Sequence, residues 1–149
     1  MTQSEMKVAV SRLFSMGKEI FSRLSQKDTM VVNEEKYQID ADFAAEPFQV
    51  HIKFTIYPEN GIITLFSVLP FDVPVTKSHE FAVTVCNLNY DKMYAGNFDY
   101  SSERGKVVYR LALLFRNSVL SSELVEECVK TTIETVSQYN EMLFKAACN

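Results

Sequence analysis

The chain has 149 residues, of which 47% are hydrophobic and 23% charged, so it is long enough to fold around a core without disulfide or metal support. Its net charge of −4 disfavours nucleic acid and membranes as partners, because both repel an acidic surface. An odd number of cysteines without a CxxC pair indicates reduced thiols in a cytoplasmic protein. Charged residues interrupt the apolar N-terminal residues, so we predict neither a signal peptide nor a membrane span.

The first predicted element is an amphipathic helix over residues 4–25. Its apolar residues recur at steps of three and four, which places them on one helical face. Thr2 and Glu5 have the spacing of a capping box at the helix start. Gly17 lies within the apolar stripe, where the missing side chain lets another element approach closely.

The next segment changes to a period of two, which is typical of strands with one buried face. Three strands are predicted, over residues 37–43, 48–57 and 62–69. Asn60-Gly61 predicts a type I′ hairpin turn between the second and the third. Pro70 and Pro74 are expected to end the third strand.

Three further segments complete the chain. A helix is predicted over residues 76–89, a hairpin pairs 97–100 with 107–115 across a turn at Gly105, and a long helix covers 122–147. The predicted order is therefore α-β-β-β-α-β-β-α. Because hairpins make neighbouring strands antiparallel, we expect an α+β fold of two layers, in one domain over residues 1–149.

Several blocks in the second half of the chain resemble the YbjN family, whose name refers to bacterial sensory transduction regulators. The blocks are Leu69-Pro70-Phe71-Asp72-Val73-Pro74, Cys86-Asn87-Leu88-Asn89-Tyr90, Gly96-Asn97-Phe98-Asp99, Gly105-Lys106-Val107-Val108-Tyr109-Arg110 and Leu120-Ser121. The family often has an aromatic residue in place of Leu69 and an acidic residue in the turn at 101–104. The resemblance implies the fold of type III secretion chaperones. It further implies a bacterial, cytoplasmic and dimeric protein that acts by contact, because the family brings no catalytic motif with it.

Catalytic and ligand-binding patterns are weak. His51, His79 and the three cysteines lack the short spacings of a metal site, so no metal or cofactor is predicted. Asp40 and Asp42 share a strand face, which solvent exposure explains as well as acid–base chemistry does. No nucleophile motif or phosphate-binding loop is present, and we predict that the protein is not an enzyme.

The strongest functional signal is a sheet whose second face is also apolar, because helices on one side cannot cover both faces. We predict protein contact through five strand residues: Ile63, Leu65, Val108, Ala112 and Leu114. Phe81 and Val85 of the second helix are predicted at a dimer seam. The alternative is that the second helix folds over this face. A free sheet edge would add a second route of binding, in which an extended peptide joins the sheet as a strand.

We therefore predict a noncatalytic protein-binding module, regulatory or chaperone-like, that acts as a homodimer. One alternative is a secretion-type chaperone that holds an unfolded effector segment. A second, from another class, is a domain that senses a small molecule between the helices and the sheet. The sequence does not identify the partner or its pathway.

Overall fold

The computed structural model describes all 149 residues and has the predicted α+β architecture of two layers. The elements are α1 (Gln3–Leu24), β1 (Val31–Asn33), β2 (Gln38–Phe43), β3 (Val50–Tyr57), β4 (Ile62–Asp72), α2 (Ser78–Lys92), β5 (Asn97–Ser101), β6 (Lys106–Leu114) and α3 (Ser122–Cys148). The predicted order is confirmed, with the three-residue edge strand β1 in addition. All neighbouring strands are antiparallel, in the spatial order β1-β2-β3-β4-β6-β5.

The helix α1 begins at the predicted capping box. Thr2 accepts a hydrogen bond from the backbone N–H of Glu5, and the Glu5 carboxylate accepts one from the backbone N–H of Thr2. Gly17 lies over the sheet, where an added Cβ would come within 3.0 Å of the Phe54 ring. The absence of a side chain therefore lets α1 pack directly on β2 and β3.

All three helices pack on the same face of the sheet, which we call the inner face. The Phe21 ring of α1 meets Phe43 and Phe54 edge-on, at centroid distances of 5.1 and 6.0 Å. Tyr139 of α3 meets Phe98 of β5 in the same way. The phenylalanine rings belong to one cluster of 32 buried hydrophobic residues that fills the space between helices and sheet, and Tyr139 packs against it. No helix in the structure is both long and apolar enough to cross a bilayer.

The hairpin between β3 and β4 forms at the predicted place but with a different turn. Only Gly61 has a positive φ, of 65°, whereas a type I′ turn needs positive φ at two successive residues. The N–H groups of Asn60 and Gly61 both donate to the carbonyl oxygen of Tyr57. The loop therefore spans four residues, 58–61, because Pro58 favours the negative φ of an ordinary turn. The type I′ prediction is wrong.

Candidate protein-binding face

The second face of the sheet, which we call the outer face, carries no helix. Its central strands β3, β4 and β6 present a mixture of apolar, hydroxyl and charged side chains. The residues are His51, Lys53, Thr55, Tyr57, Ile62, Thr64, Phe66, Val68, Val108, Arg110, Ala112 and Leu114. The helix α2 does not cover this face, because its Phe81 packs against Phe71 and Tyr100 on the inner face.

Three of the five predicted contact residues lie on the outer face. Val108 pairs with Val68 across the strands, Ala112 with Thr64, and Leu114 with Ile62. Leu114 is 71% exposed and is the most exposed apolar side chain of the sheet. These positions fit an interaction surface, because apolar side chains that adjoin one another in the open can be buried by a partner.

Ile63 and Leu65 lie on the opposite face, and their predicted place on the contact surface is wrong. They are 2% and 3% exposed and pack in the core beside Leu113 and Leu111. The hairpin register pairs Ile63 with Ile56, whose strand has an unambiguous buried side. Directly paired residues point to the same face, so the even-numbered core residues of β3 direct the odd-numbered residues of β4 inward.

Phe81 and Val85 are also buried within the chain, at 0% and 4% exposure, which corrects their predicted role at a dimer seam. Their side chains are already covered by the chain's own sheet and leave nothing for a second copy to bury. The solvent side of α2 instead exposes Val83 and Tyr90, and Tyr94 follows just after the helix. Sequence reasoning missed this stripe, although its residues recur at steps of seven and four.

A groove crosses the outer face at right angles to the strands. Its floor is a row of small or polar side chains in direct register, Gln38, Thr55, Thr64 and Ala112. One wall is the row Tyr57, Ile62 and Leu114, and the other is the row Lys53, Phe66 and Arg110. The part over β2, β3 and β4 has a volume of about 540 Å³. We call this feature the cross-strand groove.

Ion pairs lie along the wall of the groove that carries Phe66. The Arg110 guanidinium lies 5.6 Å from the centre of the Phe66 ring and 3.4 Å from an Asp99 carboxylate oxygen. The Lys53 Nζ lies 3.9 Å from the Asp40 Oδ1. Asp40 continues the same cross-strand row on β2, next to Lys53, and Asp99 lies on β5 beyond Arg110, so each cation at this wall has one carboxylate partner at its outer side.

His51 lies between the two aspartates that the sequence singled out. Its Nδ1 is 2.7 Å from Asp42 Oδ1, and its Nε2 is 3.3 Å from Asp40 Oδ1. The two carboxylates therefore share one imidazole on a strand face where the His51 side chain is half exposed, and this gives each of them a structural partner.

The three cysteines and two histidines do not form a metal-binding cluster. Cys128 is buried in α3, and burial raises the pKa of its thiol, whereas Cys86 and Cys148 are exposed. No group of three or more His, Cys, Asp or Glu side chains is arranged to hold a metal ion.

Both edges of the sheet are partly closed by the chain's own polar groups. On β5, the Asn89 side chain donates to the carbonyl oxygen of Phe98 at 2.8 Å and accepts from its N–H at 2.9 Å. On β2, beyond the end of β1, the N–H of Asp42 donates to the Thr29 hydroxyl and its carbonyl accepts from the N–H of Gln26. These bonds occupy backbone groups that strand addition by an extended peptide would use.

The fold is that of the type III secretion chaperones, with an antiparallel sheet covered by helices on one face. Among solved structures, the chain is similar to one in the crystal structure of the ExsC–ExsE complex, with a TM-score of 0.60 and 14% sequence identity. That similarity covers 90% of this chain and 95% of the other. No family model and no curated protein sequence matches this chain, so the resemblance to the YbjN family rests on the sequence blocks alone.

Proposed function

We propose that this protein is a noncatalytic, chaperone-like module that binds another protein through the outer face of its sheet. The observation that carries the proposal is the separation of the two faces. The helices and the inner face form a complete core, while the outer face leaves Val68 exposed beside Val108 and, about 20 Å further along β6, Leu114 exposed beside Ile62. A face of this kind can bind a partner without any rearrangement of the core.

The comparison with solved structures supports a protein partner. The similar chain was crystallised in a complex of two named proteins, ExsC and ExsE. Two kinds of partner are consistent with the outer face, namely a folded signalling component and an unfolded segment of a secreted protein. The partly closed sheet edges favour contact through side chains over strand addition in either case.

We further propose that the protein is a homodimer in the bacterial cytoplasm. The solvent side of α2 supplies the surface, because Tyr90 and Tyr94 are almost fully exposed and Val83 is exposed two turns before Tyr90. Aromatic side chains are enriched in protein interfaces. A stable dimer would bury roughly 800 Å² on each copy. Sedimentation of the wild type and of a Tyr90→Asp variant tests this part, and a monomeric wild type would refute it.

Affinity purification of the tagged protein at its native level, followed by mass spectrometry, tests the binding function. We expect one stoichiometric protein that is lost from a Leu114→Asp variant and retained by a Val119→Asp variant. Val119 is the matched control, since it is equally apolar and exposed but precedes α3 outside the sheet. If the outer-face variant retains every protein that the wild type captures, the proposal is wrong.

A further inference from the structure

We infer that the cross-strand groove receives one amphipathic α-helix of the partner, with acidic side chains along one flank of that helix. This inference rests on the proposed protein-binding function and specifies the shape and charge of the partner. It follows from the dimensions of the groove, the side chains of its floor and walls, and its two cations.

The width of the groove matches a helix. Its two walls stand four residues apart along β3, at Lys53 and Tyr57, which corresponds to about 13 Å along a strand. An α-helix with its side chains is about 10–12 Å wide. The floor between these walls is formed by Thr55 and Thr64, whose short side chains leave room for a helix.

The length of the groove sets the length of the helix. The floor runs across four strands, from Gln38 to Ala112, and so spans three strand spacings, or about 14 Å. At a rise of about 1.5 Å per residue, a helix of roughly ten residues covers this distance. Ile62, Phe66 and Leu114 then contact apolar side chains that recur at steps of three and four on the bound helix.

The charge of the groove selects acidic flanks. Nine residues line its deepest part, among them Lys53 and Arg110 and no carboxylate, while Asp40 and Asp99 contact the two cations from the rim. The two cations stand on the same wall, with Phe66 between them. Stacking on Phe66 holds the Arg110 guanidinium beside the groove, where it can pair with a carboxylate of the ligand.

The spacing of the cations predicts a spacing of acids. Lys53 and Arg110 are two strands apart, which is about 10 Å. On a helix lying across the strands, residues i and i+7 are about 10.5 Å apart and share a face. The preferred ligand therefore has Asp or Glu at i and i+7, beside an apolar stripe.

Two helix-constrained, fluorescein-labelled peptides of 14 residues test the inference. Both carry Leu along one face, and they differ only at two flanking positions seven residues apart, which are Glu in one peptide and Lys in the other. By fluorescence anisotropy with the full-length protein, we expect the Glu peptide to bind at least tenfold more tightly. Lys53→Glu combined with Arg110→Glu should reverse that preference.

A floor variant separates the groove from the rest of the surface. Thr64→Lys fills the groove from an outward-facing position and should reduce binding of the Glu peptide at least tenfold. Thr76→Lys makes the same exchange at an exposed site between β4 and α2 and should leave binding unchanged. Circular dichroism and thermal unfolding establish that each variant is folded. If Thr64→Lys does not fold, the charge reversal at the exposed Arg110 still tests whether the peptide binds in the groove.

Four results with the purified protein would overturn the inference: equal binding of both peptides, insensitivity to Thr64→Lys, tighter binding of an oligothymidylate to the same groove, or a wild-type dimer that Thr64→Lys dissociates. The third result would indicate a nucleic-acid site, and the fourth a second copy of the chain. A captured partner that is lost with Leu114→Asp but kept with Thr64→Lys would also overturn it while leaving the proposed function intact.

Discussion

The two faces of the sheet differ in how their apolar side chains are covered. On the inner face, Phe54 and Leu65 are enclosed by helices and contribute to folding. On the outer face, Phe66 lies on the same strand as Leu65 and is half-buried, and Leu114 on the neighbouring strand is exposed, with no helix over either. Similar residue types in one sheet thus stabilise the fold on the side that the helices cover and remain available for recognition on the side that they leave open.

The largest expected effect comes from shortening a phenylalanine on each face. Phe54→Ala should lower the free energy of unfolding by about 3–5 kcal/mol, because the cavity it leaves lies under α1. Phe66→Ala should cost about 1 kcal/mol, since its ring is only partly buried. Urea titration measures both. Equal losses would mean that the outer face is part of the folding core.

The next effect concerns the edge of the sheet beside these faces. Asn89→Ala should cost about 2 kcal/mol, because it removes both hydrogen bonds to the backbone of Phe98. Amide hydrogen exchange at Phe98 should become faster, while the exposed neighbour Asn87 replaced by Ala should leave it unchanged. Unaltered exchange in the Asn89 variant would show that the side chain does not protect this edge.

A smaller effect is expected where α1 approaches the inner face. Gly17→Ala gains helix propensity but brings Cβ within 3.0 Å of Phe54 and 3.1 Å of Ile39, so we expect a net loss of about 1 kcal/mol. The same exchange should cost less in a Phe54→Leu background. Ser15→Ala, on the exposed side of α1, is the control and should stabilise by roughly 0.5 kcal/mol. A stabilising Gly17→Ala would mean that the inner face has room for the methyl group.

The smallest effect on folding should accompany a large effect on binding. Leu114→Ser should change the free energy of unfolding by less than about 0.5 kcal/mol, because the side chain is open to solvent. Binding of the Glu peptide should weaken clearly, since one wall of the groove is shortened. Val119→Ser, outside the sheet, should change neither quantity. A loss of several kcal/mol for Leu114→Ser would place this side chain in the core.

Much of this comparison was visible in the sequence. Strand β3 alternates cleanly, and both long helices carry one apolar stripe, so the layers and the order of the elements could be predicted. Strand β4 is apolar on both sides, and its pattern alone does not say which side faces the helices. The register of the hairpin would have shown which residues of β4 face the helices, because residues that pair directly across β3 and β4 point to the same face of the sheet.

The groove itself could not be predicted from the sequence. Thr55, Thr64 and Ala112 are far apart along the chain and become one row only through the order β3-β4-β6. A threonine in a strand is an ordinary residue, so nothing marks these positions singly. The two cations of the wall likewise meet Phe66 only in the assembled sheet.

The bonds between Asn89 and Phe98 have a consequence for assembly. A sheet that displays apolar residues and two open edges can grow strand by strand into a fibre. Here a carboxamide from a helix occupies the outward backbone groups of Phe98 on one edge, and a threonine hydroxyl accepts from the N–H of Asp42 on part of the other, so strand addition is hindered at both positions. The polar groups at these two positions therefore act against the growth of fibres through the sheet edges.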